Sequence, residues 1–162
     1  MTDKIEIRNI KQEDNYALAK IIRETLAEFK ANKRGTAFYE DATDHLYEVF
    51  QINKANYFVV ELNDEIAGGA GIYPTKGLPQ DTCELVKLYL VPNTREKGIG
   101  KMLVQLCIDE ASKYGYKKIY LETMPELKSA IPMYEKFGFT YLNHSIGLSG
   151  HSACNIWMMK EM

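Results

Sequence analysis

Residues 82–103, TCELVKLYLVPNTREKGIGKML, decide the fold, because a strand, a glycine turn and a helix follow one another without a break. Thr82 to Val91 is rich in β-branched, aromatic and leucine residues and is closed by Pro92. Beyond the turn, Ile99, Met102, Leu103, Leu106, Cys107, Ala111 and Tyr114 recur at three- and four-residue spacing. That spacing predicts one apolar stripe of a helix, ended by Gly115. Between strand and helix lies Arg95-Glu96-Lys97-Gly98-Ile99-Gly100, with Lys101 adding a third basic residue. The first N–H groups of a helix lack internal partners, and the macrodipole adds partial positive charge there. Glycine lets backbone approach an anion that a Cβ would hold off. The turn reads as a phosphate site.

Two common phosphate loops are excluded by the residues their chemistry requires. A P-loop needs Gly-x-x-x-x-Gly-Lys-Ser/Thr, but here Met102 follows Lys101. A Rossmann turn needs a small residue three positions after the second glycine, where this chain has Leu103. The remaining pattern, Arg-x-x-Gly-x-Gly after Val-Pro, resembles the pyrophosphate loop of the GNAT superfamily of acyl-CoA N-acyltransferases. Residues 130–139, AIPMYEKFGF, are similar to that family's Ala-x-x-x-Tyr-x-x-x-Gly-Phe segment. Each pattern alone is moderately specific; their joint occurrence is much rarer.

Working outward, Ile5 to Arg8 alternates as a first strand, and Gln12 to Ala31 carries a helical apolar stripe that Asp14 can cap. Asn32 to Asp41 reads as a mobile loop, and Asp44 to Asn53 as a short second helix. Tyr57 to Leu62 and Glu65 to Pro74 flank Asn63-Asp64, a hairpin signal. Gly68-Gly69-Ala70-Gly71 predicts a bulge or a close backbone approach. Lys118 to Glu122 follows the phosphate helix directly and predicts a βαβ crossover with two parallel strands. A helix from about Ser129 to Phe137, with Pro132 in its first turn, and strands from Phe139 and Cys154 complete the chain. The order βααβββαβαββ is that of the GNAT fold. The resemblance implies an α/β (mixed α+β) fold: a central, mostly antiparallel sheet of about seven strands with a splayed parallel pair, flanked by four helices.

At 162 residues and 18.6 kDa the chain has the size of one domain, here 1–162. A net charge of −2 and a pI near 6.0 argue against nucleic acid as partner. No apolar run approaches the length of a membrane helix, and the N-terminus lacks a signal-peptide core. Cys83, Cys107 and Cys154 are an odd, sparse set that reads as reduced thiols of a cytoplasmic protein. His151 and Cys154 have no second pair to complete four ligands, so no metal is expected.

The resemblance implies an N-acetyltransferase that moves an acetyl group from acetyl-CoA to a primary amine by direct attack in a ternary complex. It assigns cofactor binding to Arg95, Glu96, Lys97, Gly98, Ile99, Gly100 and Lys101. It also assigns the backbone of Leu88, Tyr89 and Leu90 to the pantetheine arm. Glu84 stands in an otherwise apolar strand where several family members carry a general base; it is equally readable as a solvent-facing or lysine-paired strand glutamate. Tyr134 matches the family's general acid and cofactor contact, or else is a core tyrosine of its helix stripe. The amine acceptor, on a small molecule, peptide or protein, is not specified, and a homodimer is left open. A catalytically silent acyl-CoA-binding sensor is the alternative. Two positions depart from the family pattern. Leu127 replaces an asparagine that contacts pantetheine, and Lys97 replaces an arginine, keeping charge but not the bidentate fork. His45, His144 or His151, with Tyr39, Glu40 and Asp41, are candidates for lining an acceptor pocket.

Overall fold

The computed structural model describes residues 2–162. Its elements are β1 (Ile5–Asn9), α1 (Asn15–Glu28), α2 (Leu46–Val49), β2 (Asn56–Leu62), β3 (Glu65–Tyr73), β4 (Thr82–Leu90), α3 (Ile99–Lys113), β5 (Lys118–Thr123), α4 (Ile131–Lys136), β6 (Thr140–Leu142) and β7 (Ile156–Glu161). The seven strands form one sheet in the order β1-β2-β3-β4-β5-β7-β6, antiparallel everywhere except between β4 and β5. Alternation along β2 explains the layering. Tyr57 and Val59 pack with α1 and α2, while Val60 packs with α3 and α4 on the other face. The expected mixed sheet, parallel pair and four helices are all present. Among the described residues, no helix is long and apolar enough to cross a membrane.

Local chemistry accounts for most boundaries. Asn63 and Asp64 both adopt left-handed backbone, at φ 52 and 69, as a tight β2–β3 turn requires. Pro132 lies in the first turn of α4, where no N–H donor is needed. That helix starts later than Ser129, because Pro125–Ala130 forms a 3-10 turn before it. Asp14 does not cap α1 with its side chain; it accepts from the Lys11 N–H and from both terminal nitrogens of Arg8. The second helix is shorter than the expected 44–53: Asp41–His45 wind as 3-10 before it, and it ends at Val49 with Phe50 as its C-cap. Met102 falls off the buried stripe of α3 and is exposed, its place taken by Val104. Arg23 ties the 32–41 segment to α1 by donating to the Phe38 carbonyl and pairing with Asp44.

The glycine run in β3 serves both purposes the sequence allows. A Cβ at Gly69 would come within 2.5 Å of the Tyr57 ring, and one at Gly71 within 2.8 Å. The β3–β4 register also shifts between Gly69 and Gly71, where Lys87 takes φ 55. The bulge reverses the faces of β4. Cys83 and Leu85 pack toward α3 before it, and Leu88 and Leu90 pack there after it.

Candidate active site

Parallel pairing of β4 with β5 stops after Glu84 and Tyr120, so the two strands diverge just where the bulge begins. Divergence leaves a groove of about 540 Å³ between the ends of β4 and β5, the start of α3 and α4. Leu88, Tyr89 and Leu90 line it from β4, and Leu121, Glu122 and Thr123 from β5. An extended chain that supplies amide groups fits this opening as an extra strand would.

At one end of the groove stands the glycine turn. Gly98 caps α3 at φ 78, and a Cβ built there meets nothing within 4 Å. The position therefore needs glycine for its backbone and faces open space. Gly100 also lines the groove, whereas the Ile99 side chain is buried in the core, leaving only its N–H for a ligand. Glu96 borders the groove with its backbone at φ 63. The three basic residues divide. Arg95 donates to the Leu90 carbonyl (2.8 and 3.1 Å), pairs with Glu28 (2.5 and 2.8 Å) and lies over the Phe29 ring. It braces the turn against α1 and β4. Lys97 pairs with Asp3 at 2.6 Å, outside the groove lining. Lys101 borders the groove and makes no ion pair among the described residues, so its charge is the one available to an anion.

Tyr134, 8% exposed, packs its ring edge-on against Phe139. Its hydroxyl makes no hydrogen bond among the described residues and is not sealed off, so it opens into the groove. Burial pushes its pKa well above the usual phenol range, and the proton stays on. Leu127 stands at the groove wall as an apolar contact, and neighbouring Glu126 is turned away to pair with Lys33.

A second, smaller cavity of about 60 Å³ adjoins the groove and shares Leu85, Lys87, Tyr89, Glu122 and Leu127 with it. Glu84 lies in its wall, 2% exposed, and accepts from Thr75 Oγ1 at 2.7 Å. Burial pushes the Glu84 carboxyl up to about 7; Thr75 opposes the rise and the Glu122 charge adds to it. Glu122 accepts from Tyr120 Oη at 2.6 Å and from Ser149 Oγ. His151 places Nε2 at 3.0 Å from Glu40 and Nδ1 at 3.8 Å from Glu122. Burial alone would raise the Glu40 carboxyl, but the His151 hydrogen bond and the Lys87 charge hold it down at about 2. Glu84, Glu122 and His151 bring one ligand atom each within 4.8 Å of one another, a different grouping from the His151–Cys154 pair considered in the sequence.

Residues 17–139 match the acetyltransferase (GNAT) family. The chain is 37% identical over 157 residues to YjgM, an uncharacterised N-acetyltransferase of Escherichia coli, covering 96% of this chain and 94% of the relative. The chain belongs to the GNAT acetyltransferase family. Its fold is similar to a GNAT acetyltransferase from Staphylococcus aureus Mu50, with a TM-score of 0.86 and 18% identity over 98% and 99% of the two chains. It is also similar to yncA from Salmonella typhimurium, solved with its cofactor acetyl-CoA, at a TM-score of 0.75 and 21% identity over 97% and 93%.

As a GNAT N-acetyltransferase, the chain has its sequence-predicted residues distributed over both cavities. Tyr134, Arg95, Glu96, Gly98, Gly100 and Lys101 border the groove, and Glu84 borders the small cavity. Of the histidines only His151 reaches the cavity; Glu40 turns inward beside it, while Tyr39 and Asp41 are exposed. Sequence reasoning missed Glu122 and Lys87. Each had a signal, a charged residue interrupting an otherwise apolar strand, but neither strand's facing is legible without the bulge.

Proposed function

We propose that this GNAT chain, as a single 1–162 domain, transfers an acetyl group from acetyl-CoA to a primary amine within a ternary complex. The observation that carries the reading is the junction of the two cavities at the β4–β5 divergence. Tyr134 stands on one side of it and Glu84 on the other. The cradle fits coenzyme A: Gly98 offers backbone without a Cβ in the way, the start of α3 offers N–H groups, and Lys101 offers charge. The backbone of Leu88 at the groove wall suits a pantetheine amide, whereas Tyr89 is paired with Gly69 of β3 and the Leu90 carbonyl is already held twice by Arg95.

Acetyl-CoA supplies an acyl group activated as a thioester. An amine with a solution pKa near 10 is only about 0.1% free base at pH 7, so it must lose a proton before it can attack. Glu84, with its pKa raised to about 7, is matched to take that proton near neutral pH. Tyr134 keeps its own proton and donates it to the departing sulfur as the new N–C bond forms and the C–S bond breaks. Thiol release from acetyl-CoA, followed with a mixed panel of amines, tests the reading. Release that depends on both substrates supports it. Acetyl-CoA binding without release by any amine would return the chain to the silent-sensor alternative.

A further inference from the structure

We infer that the acceptor is a compact primary alkylammonium compound recognised by Glu122, and not a peptide laid across the sheet. The inference rests on the acetyl-transfer reading above and concerns the acceptor side of that same site.

Size is the first argument. The cavity beside Glu84 holds about 60 Å³. An enclosed water needs roughly 10–15 Å³, so the space takes about four or five non-hydrogen atoms. Its outer wall is made by two loops fastened to each other. The Ala153 N–H donates to the Gly35 carbonyl at 3.2 Å, and a Cβ at Gly35 would come within 2.3 Å of Ser152 Oγ. His151 and Glu40 bridge the same two loops. Farther along, the Leu148 N–H donates to the Lys76 carbonyl at 2.7 Å, and the Ile146 N–H to Tyr120 Oη at 3.1 Å. A peptide backbone crossing the β4–β5 divergence from this side would have to break those bonds.

Charge is the second argument. Glu40 already has Lys87 and His151 as partners. Glu122, its side chain 4% exposed, has two hydroxyl donors and no cation closer than the His151 ring at 3.8 Å. A buried carboxylate met by neutral donors keeps its charge uncompensated, and an ammonium group entering the cavity compensates it. Glu84 adds an independent sign of a ligand. Thr75 occupies Oε1, while the other oxygen has no partner among the described residues and is not sealed off within a cavity-lining side chain that is almost wholly buried. The two glutamates thus divide the work. Glu122 receives the cation and Glu84 removes its proton. An acceptor carrying a carboxylate next to its nitrogen would set that negative charge beside Glu122 and Glu84, while the one cationic side chain of the wall, Lys87, is already paired with Glu40.

Steady-state thiol release with n-propylamine, n-butylamine, alanine and a lysine-containing peptide tests the assignment. The expected order places both alkylamines roughly tenfold or more above alanine and the peptide in kcat/KM. Glu122→Gln should raise KM for n-butylamine roughly tenfold, as loss of a charge-assisted contact does, and leave kcat within about threefold. Glu122→Asp should recover part of that loss. Peptide or alanine as the best acceptor, or an unchanged KM in Glu122→Gln, would overturn the inference while leaving acetyl transfer intact. Thiol release with none of the acceptors would instead count against the transfer reading. Calorimetric titration of n-butylamine into wild type and Glu122→Gln then decides Glu122 by itself, equal affinity overturning its role.

Discussion

The hydroxyl of Tyr57 reaches over β3 and donates to the carbonyl of Lys87 at 2.7 Å. Lys87 is the residue at which β4 bulges, and its left-handed backbone is disfavoured for a side chain of its kind. Gly69 and Gly71 leave the space through which the Tyr57 ring passes. One bond therefore joins the second strand to the point where the groove opens, and the glycines of the third make it feasible.

Tyr57→Phe should keep the ring and lose that bond, leaving the Lys87 carbonyl unmatched. A loss of about 1 kcal/mol is expected. Acetyl-CoA affinity should also weaken, because Leu88 and Tyr89 would be less well held. Urea unfolding and calorimetry measure the two effects separately. Wild-type values for both would mean that pairing with β3 alone holds the bulge.

Gly98→Glu places a branch and a negative charge where the cradle is open, on a backbone at φ 78. Left-handed strain should lower stability by about 1–2 kcal/mol, since the rest of the turn is unaffected. Acetyl-CoA binding should be abolished in the folded variant. Gly100→Glu should do the same through charge and bulk alone. Unchanged calorimetric affinity in either folded protein removes the pyrophosphate assignment.

Tyr134→Phe retains the edge-on packing against Phe139 and removes only the hydroxyl. If that hydroxyl protonates the sulfur, kcat falls by roughly 10²-fold or more with little change in KM. Thermal unfolding should barely move. A normal kcat would return Tyr134 to the role of a core residue.

Glu84 supports two linked pH predictions. As base it acts when ionised, so kcat/KM should fall on the acid side of its raised value of about 7, and Glu84→Gln should lose that limb. The same raised value means that the folded state favours the protonated form. Its stabilising effect is complete below the unfolded value of 4.5 and disappears as pH climbs through about 7. Glu84→Gln should therefore match wild type near pH 4 and gain in relative melting temperature by pH 8. A melting-temperature difference that does not vary with pH would place Glu84 in contact with water.

The glycine turn before α3 could be read from residue types because its geometry is local. A helix N-terminus and two glycines specify their own N–H directions, whatever lies around them. Tyr134 was legible through its spacing from Ala130, Gly138 and Phe139 on one helix and the strand after it. The role of Arg95 was not, because its partners Glu28 and Phe29 come from a helix 67 and 66 positions earlier. Charge at the loop was visible; which of the three cations remained available was decided by distant carboxylates.

By itself the sequence determined the order of strands and helices, the parallel crossover and the glycine turn that opens α3, since each follows from periodicity or backbone chemistry within a short window. The tertiary structure decided which way β4 faces and what meets at its divergence from β5. A single left-handed residue, Lys87, slips the two-residue alternation by one. Glu84, Glu122, His151 and Glu40 come from four separate segments, and only the packing of those segments brings their side chains to one cavity. Their proton affinities follow from that burial and proximity, quantities that no spacing along the chain encodes.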